Sequence, residues 1–376
     1  MAGIYIHIPF CKQQCSYCDF HFSTTFQKYR ERMLKAMSME LENRSDYLGN
    51  ETIQTIYFGG GTPSLLTQEE IKAFLDQIHS LFDVAEDVEV SLEANPDDCD
   101  ATSLQNWKST GINRLSIGIQ SFKASDLQWM NRAHTPKEAE QCVALAQSVG
   151  FDNITVDLMY GLPGLSEEEW RNHIQKVIDW GVPHVSSYCL TVEKNTLLER
   201  HVQSGELQVA TDEEESRQFE ILVSMLKDAG IEQYEISNFS KPGFESQHNS
   251  NYWKGVPYLG IGPSAHSFQG TSRQWNVANN SMYMKAVEEE IDYFEVEVLS
   301  PADRFNELIL TGLRTIYGVS IRQLSEIQDF PKGFSENVEQ LKSQGWMEEK
   351  SDRLYLTPEG RLRADFIASE LFIVQG

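Results

Sequence analysis

The sequence predicts an α/β protein: a partial (β/α)6 barrel of the TIM type, followed by a small C-terminal helical, winged-helix-like domain. Three observations predict it. Six short β-rich runs alternate with helical patterns before residue 236. These units recur about every 36 residues, the length that parallel strands joined by right-handed crossovers require. From Pro301 the alternation gives way to helical patterns and one short hairpin. Six units are too few to close an eight-stranded barrel, so the sheet is expected to stay open.

The strands are expected at 3–8, 53–58, 88–93, 114–119, 153–158 and 184–190, and the helices near 26–44, 67–82, 100–109, 136–149, 166–180 and 212–229. Thr67 with Glu70, Thr135 with Glu138, Ser166 with Glu169 and Thr211 with Glu214 have the spacing of capping boxes, in which each side chain satisfies a backbone N–H at a helix start. Gly111, Gly150, Gly181 and Gly230 stand where those helices must stop. The stretch 237–282, rich in Asn, Ser, Gly, Pro and aromatics, breaks the rhythm and reads as a long functional loop. Beyond it, helices are expected at 301–314, 319–328, 333–344 and 358–372, with a hairpin turning at Ser351 and Asp352. The expected domains are 1–236, a connecting segment 237–298, and 299–376.

With 376 residues, 40% hydrophobic and 23% charged, the chain can bury a sizeable core, which excludes a disordered or collagen-like protein. No apolar run approaches the roughly 18 residues that span a bilayer, and the start lacks the pattern of a signal peptide, so a cytoplasmic location is expected. Lys and Arg number 31 against 56 Asp and Glu, for a net charge of −25. Without a basic cluster to neutralise phosphates, nucleic acid is not an expected partner.

Of six cysteines, Cys99, Cys142 and Cys189 stand alone and read as small buried residues. Cys11, Cys15 and Cys18 crowd into eight residues after the first strand, a spacing that serves one centre. Soft sulfur ligands select zinc or iron–sulfur. An iron–sulfur cluster normally takes four cysteines, but position 20 is Phe20, and three ligands on a four-iron cluster leave one iron open. The alternative is a Cys3His zinc site completed by His21 or His7. Gly59-Gly60-Gly61-Thr62-Pro63 follows the second strand, where backbone N–H groups can approach a ligand. Glu93, Gln120, Asp157 and Tyr188 lie at the carboxyl ends of later strands, the end at which such sheets bind ligands.

Cys-x-x-x-Cys-x-x-Cys-x-Phe at the first β/α turn, followed by GGGTP, resembles the radical S-adenosylmethionine superfamily. YIHIPFC, FGGGTPSLL, SLEANP, IGIQSF, VDLMYGLPG, LGIGPSAHSF and the tail LTPEGRLRADFIASELF extend the resemblance nearly end to end. They are similar to the branch that holds oxygen-independent coproporphyrinogen III oxidase and the HemW haem chaperones. The resemblance implies that Cys11, Cys15 and Cys18 hold a [4Fe–4S] cluster whose open iron takes the amino and carboxylate groups of S-adenosylmethionine. One electron from the cluster would then cleave the sulfonium to methionine and a 5′-deoxyadenosyl radical. It further implies that Tyr5, Gly60, Gly61, Thr62, Glu93, Gln120, Arg132 and Asp157 bind that cofactor, Glu93 suiting its ammonium and Arg132 its carboxylate.

Within the branch, the oxidase pattern has a fourth cysteine two positions after the third and an N-terminal extension. Here Asp19 and Phe20 follow Cys18, and the first strand is expected at residue 3. His248-Asn249-Ser250-Asn251-Tyr252-Trp253 fits the His-Asn-x-x-Tyr-Trp signature of the chaperones, which implies haem contact by His248, Tyr252 and Trp253. Imidazole is a common axial ligand and aromatic rings offer flat faces to a porphyrin. His266 is a second candidate, and Lys241, Lys254 and Arg273 are cations near in sequence for the propionates. The expected function is therefore a haem chaperone with a radical S-adenosylmethionine core, the alternative being the oxidase. The expected partners are haem and haem-receiving proteins, with membrane contact only through such a client; a homodimer stays open.

Overall fold

Six parallel strands run in chain order through the middle of one sheet: β1 (Ala2–Ile8), β2 (Ile53–Gly60), β3 (Val84–Ala94), β4 (Arg114–Gln120), β5 (Asn153–Tyr160) and β6 (His184–Cys189). They appear in a computed structural model that describes residues 1–374; the last two positions of the domain expected over 299–376 lie outside the described residues. The crossovers are α1 (Arg30–Asn43), α2 (Gln68–Leu81), α3 (Ala101–Thr110), α4 (Ala124–Trp129), α5 (Pro136–Ser148) and α6 (Glu167–Asp179). After β6 come α7 (Leu197–Gln203) and α8 (Asp212–Asp228). All four capping boxes form. Gly111 closes α3 in the left-handed conformation at φ 106°, which a side chain would resist.

The strands alternate strictly. Ile4, Ile6 and Ile8 of β1, Ile56 and Phe58 of β2, and Leu115, Ile117 and Ile119 of β4 are buried against the helices. Their neighbours on the opposite face are polar: Tyr5 and His7, Thr55 and Tyr57, Ser91 and Glu93, Ser116 and Gln120, Thr155 and Asp157. Register brings them into rows, with Tyr5 beside Tyr57, Glu93 beside Ser116, and Asp157 beside Ser186. The fold thus has an apolar outer face under the helices and a polar inner face.

The sheet is open, as expected. Its edges are β7 (Glu232–Gln233), beyond β8 (Asn238–Ser240), on one side, and β12 (Phe294–Val298) on the other. The long loop expected over 237–282 is corrected by the structure. That stretch contains β8, α9 (Gln247–Trp253), β9 (Tyr258–Ile261), β10 (His266–Phe268), β11 (Ser272–Asn276) and the start of α10 (Asn280–Glu288). β9 lies parallel to β1, and β10 to β12 continue the sheet outward as an antiparallel meander. Glu40 explains why such polar, turn-rich sequence is ordered. Fully buried on α1, its carboxylate accepts bonds from Tyr283, the Gly262 N–H (2.8 Å) and Asn276 (2.7 Å), and pairs with Arg44. Arg44 reaches on to Gln274 at 2.6 Å. These long-range partners replace a local apolar period, and no single-sequence pattern reveals them.

The C-terminal part has its own apolar cluster, from Phe305 to Leu371. It consists of α11 (Pro301–Leu313), β13 (Val319–Ser320), α12 (Ile321–Ile327), α13 (Phe334–Ser343), β14 (Met347–Lys350) and β15 (Arg353–Leu356), with the three strands in one small sheet. The hairpin turns at Ser351 and Asp352, both with positive φ. The single helix expected over 358–372 is instead two short ones, α14 (Pro358–Arg361) and α15 (Ala364–Ser369). Arg363, at φ −127° and ψ 24°, leaves the helical region and separates the two, while Gly360 packs so tightly on Trp346 that a Cβ there would collide with the Trp346 carbonyl. Among the described residues, no helix is long and apolar enough to cross a membrane.

Candidate active site

A cavity of about 650 Å³ lies at the carboxyl ends of β1 to β6, walled by the polar inner face of the sheet. Cys11, Cys15 and Cys18 all line it, on the loop that follows β1. The loop is held from several directions. The Cys11 N–H donates to the Ser23 carbonyl at 3.1 Å and the Ser16 N–H to Met130 at 3.0 Å. Asn131 donates to the Gln14 carbonyl at 2.8 Å, and Lys12 pairs with Asp97 at 2.7 Å and with Asp98. Contacts from the turn after β3 and from the turn after α4 therefore fix where the sulfurs sit.

All three thiols are free and partly buried. Burial pushes Cys11 up to about 11 and Cys18 up to about 12, so as bare groups they are protonated at neutral pH; a bound metal centre deprotonates such thiols. Arg132 supplies the complementary charge. It is half-buried, with Nη1 3.7 Å from the Cys15 sulfur and Nη2 donating to Asn95 (2.7 Å) and to the Gly118 carbonyl (2.6 Å). Its Nε is buried and has no hydrogen-bond partner among the described residues. A guanidinium that forms no ion pair with a carboxylate among the described residues, and whose charge reaches as far as Asp157 across the cavity, suits a site that takes thiolates and a ligand carboxylate. The zinc alternative asks a fourth ligand of His7 or His21. His7 contacts the Tyr5 hydroxyl and the His21 carbonyl, and the His21 ring pairs with Asn280 at 2.7 Å. Both rings are engaged away from the sulfurs, so the donor set fits a three-thiolate cluster better than a Cys3His ion.

The glycine turn sits against this loop. Gly60 adopts φ 105°, and its N–H donates to Glu93 at 3.2 Å. The Gly61 N–H donates to the Ile8 carbonyl at 2.8 Å, and the Thr62 hydroxyl points at the Cys11 sulfur from 3.5 Å. Glu93 also accepts from Tyr57 at 2.8 Å, Asp157 from Ser116 at 3.1 Å, and Gln120 from Tyr188 at 2.8 Å. Gln120 holds φ 67°, an uncommon conformation for a residue with a side chain, which turns it into the mouth at the end of β4. All eight residues expected to bind the nucleotide line or border this one cavity. Sequence reasoning missed Tyr57, Asn95, Arg114 and Ser116, which line it too. The signal that finds them is the period-two run of polar residues on one face of otherwise apolar strands.

Glu93 and Asp157 are carboxylates lining this cavity, the second within reach of the charges of Arg132 and Arg114. Burial raises Glu93 to about 7, partly offset by the Tyr57 hydrogen bond, while Asp157 adds repulsion; burial raises Asp157 to about 6. A folded value above the ordinary 4.5 means that the folded, ligand-free protein holds the Glu93 proton more tightly than the unfolded chain does. The contribution to stability is complete below about 4.5 and is lost as pH rises through about 7. An incoming ammonium favours the ionised carboxylate and so expels that proton. S-adenosylmethionine binding at pH 6.5 is therefore expected to release protons, seen as calorimetric heats that change with the ionisation enthalpy of the buffer. Glu93→Gln is expected to remove most of that dependence; equal heats in all buffers for the unaltered protein would refute the role of Glu93.

His248, expected to contact haem, lies on the wall of the first cavity beside Tyr252. It is on α9, 2% exposed, with Nδ1 bonded to Thr55 and Nε2 to the Tyr252 hydroxyl, both at 2.8 Å. Burial drives it down to about 3, so the ring is neutral. Its ring stacks on Tyr57 at 5.0 Å and it positions Tyr252 rather than offering a free nitrogen. Tyr252 and Trp253 line a second cavity of about 1030 Å³, which shares Tyr5, Gly60, Glu93 and Phe20 with the first.

A half-open barrel whose first loop presents three thiols beside an acidic, glycine-edged nucleotide pocket defines the class that joins an iron–sulfur cluster to a sulfonium nucleotide. Comparison with known proteins agrees: the profile of the radical SAM superfamily matches residues 5–177, and that of the HemN C-terminal domain matches residues 299–363. The chain is 34% identical over 366 residues to "Heme chaperone HemW" of Bacillus subtilis, covering 96% of this chain and 97% of that one. It is 35% identical over 375 residues to the protein of the same name from Mycobacterium tuberculosis strain H37Rv, covering 98% and 94%. The chain belongs to the HemW family of the radical SAM superfamily. Among solved structures, coproporphyrinogen III oxidase (HemN) from Escherichia coli superposes with a TM-score of 0.85 at 21% identity, covering 99% of this chain and 90% of that one, a likeness of fold. The superfamily carries a [4Fe–4S] cluster and S-adenosylmethionine, and this chain has the thiols, the arginine and the carboxylates that fit both.

Proposed function

We propose that this protein is a haem chaperone: it binds haem beside a radical S-adenosylmethionine site and passes it to haem-dependent proteins. One observation carries the reading. The second cavity, about 1030 Å³, opens onto the nucleotide pocket and is lined on one side by Tyr252, Trp253, Tyr258 and Phe268 and on the other by Leu308, Leu310 and Ile327. That is space for a large flat apolar molecule with an ionic edge, at the upper end of ordinary ligand pockets. The names of the HemW relatives support haem as that molecule.

When bound, the cluster and the nucleotide supply one-electron cleavage of the sulfonium. The chain's own part is to hold them. Cys11, Cys15 and Cys18 are our cluster ligands; Glu93 and Arg132 are aimed at the amino-acid end of the nucleotide, and Gln120 and Asp157 are placed to accept from its ribose. Tyr5, Gly60, Gly61 and Thr62 shape the wall between them. His248 and Tyr252 brace the partition toward the second cavity, with Trp253 on its far side. Our reading of the location is cytoplasmic, with membrane contact through a client only and a homodimer as one possible assembly.

The test separates a carrier from an enzyme that consumes porphyrinogen. Reconstituted protein is expected to bind added haem with a shifted Soret band, to yield no protoporphyrinogen from coproporphyrinogen III under reducing conditions, and to load an apo-haem acceptor. Steady decarboxylation would establish the oxidase instead and end the chaperone reading. Phe20, 68% exposed at the rim of both cavities where the oxidase pattern has a cysteine, favours the first outcome.

A further inference from the structure

Three histidines line the second cavity: His7, His21 and His266. His7 is buried, and the nitrogens of its ring contact Tyr5 and the His21 carbonyl. His21 is paired with Asn280. His248 lies behind the wall, with both nitrogens hydrogen-bonded. His266, on β10, differs from all of these. It is exposed, and among the described residues its ring nitrogens have no hydrogen-bond partner. Its ring lies 6.3 Å from Trp275, its cross-strand neighbour on β11, at an interplanar angle of 31°, which limits how it turns.

We infer that His266 is the residue that would ligate the iron of haem in the second cavity, an assignment that rests on the chaperone reading. Neighbouring groups complete the site. Tyr258 on β9 and Phe268 on β10, 6.4 Å apart, offer apolar faces, and α11 and α12 supply the opposite wall. Three cations stand at the rim for two propionates. Arg304 has no carboxylate partner among the described residues, Lys254 rests its ammonium 4.7 Å from the Tyr317 ring, and Arg273 is paired with Glu307. Although its side chain reaches solvent, partial desolvation in the cavity mouth and the nearby Arg273 hold the His266 imidazole below its ordinary value, which favours the neutral form that binds metal. His248 then acts as a positioning residue: it anchors the Tyr252 hydroxyl, and Tyr252 packs edge-on against Tyr258 at 4.6 Å.

The assignment is tested by titrating the cluster-loaded protein with ferric haem and recording both Soret spectra and haem electron paramagnetic resonance. His266→Ala is expected to weaken binding roughly tenfold or more and to abolish the histidine-ligated signal, with the cluster spectrum and circular dichroism unchanged. His266→Gly is expected to regain that signal when free imidazole is added. His248→Ala is expected to keep the g-values of the unaltered protein, whatever it loses in affinity. If His266→Ala keeps the signal, or imidazole fails to restore it in His266→Gly, His266 is not the ligand and the chaperone reading stands without it. If the unaltered protein binds no haem at all, the chaperone reading itself fails.

Discussion

Cys15→Ser, reconstituted anaerobically with iron and sulfide, is expected to emerge without the brown four-iron chromophore and without measurable affinity for S-adenosylmethionine. Cys11→Ser and Cys18→Ser are expected to behave alike. A hydroxyl is a hard, weakly acidic donor, whereas iron–sulfur centres are held by thiolates. The other thiols stand off this loop: Cys99 and Cys142 are buried elsewhere, and Cys189 lines the cavity from the end of β6, so none is expected to replace a lost loop ligand. The loss is expected to be local. Ser16 bonded to Met130, Asn131 bonded to Gln14 and Lys12 paired with Asp97 use no cysteine side chain, so the loop keeps its anchors and the far-ultraviolet dichroism stays as it was. Labile sulfide and iron near four per monomer in Cys15→Ser, on the count of a cubane, would refute the ligand set. Stoichiometric zinc without sulfide in the unaltered protein would refute the cluster itself.

How much of this was legible depends on how far apart the cooperating residues lie. The six parallel strands and their capped helices could be read because each is specified locally, by an alternating or helical period and a Ser or Thr three residues before a Glu. The thiol loop and the glycine turn could be read for the same reason. The partners of the site could be located only as ends of strands; that Glu93 meets Gly60 and that Arg132 crosses from the turn after α4 to Cys15 are facts of register and crossover. The stretch 237–298 was opaque because its order comes from Glu40 and Arg44, more than two hundred residues away in sequence. His248 shows a further limit. A signature can mark where a histidine sits without telling whether its nitrogens face a ligand or, as here, Thr55 and Tyr252.

Gly61→Ala is expected to damage the same centre without touching a ligand. A Cβ at this position would stand 2.7 Å from the Phe10 carbonyl oxygen, 2.8 Å from that of Ile8 and 3.0 Å from the Phe10 nitrogen. All three are backbone atoms, so no side chain can swing away, and relief requires the end of β1 to part from β2. The Gly61 N–H bond to Ile8 would stretch, and the loop that begins at Cys11 would move with Phe10. Overpacking of this kind costs about 1–3 kcal/mol, read as a lowered midpoint in chemical denaturation. Because the displacement is concentrated at the thiol loop, cluster occupancy and nucleotide affinity are expected to fall by roughly tenfold or more, beyond what the stability loss explains. Gly205→Ala is the control: its φ of 78° strains an alanine, but nothing lies within 4 Å of the added carbon. It is expected to cost about 1 kcal/mol and to leave the cluster and the nucleotide site intact. If Gly61→Ala and Gly205→Ala lose stability equally and both keep full cluster occupancy, the close approach of the glycine turn to β1 does not position the sulfurs.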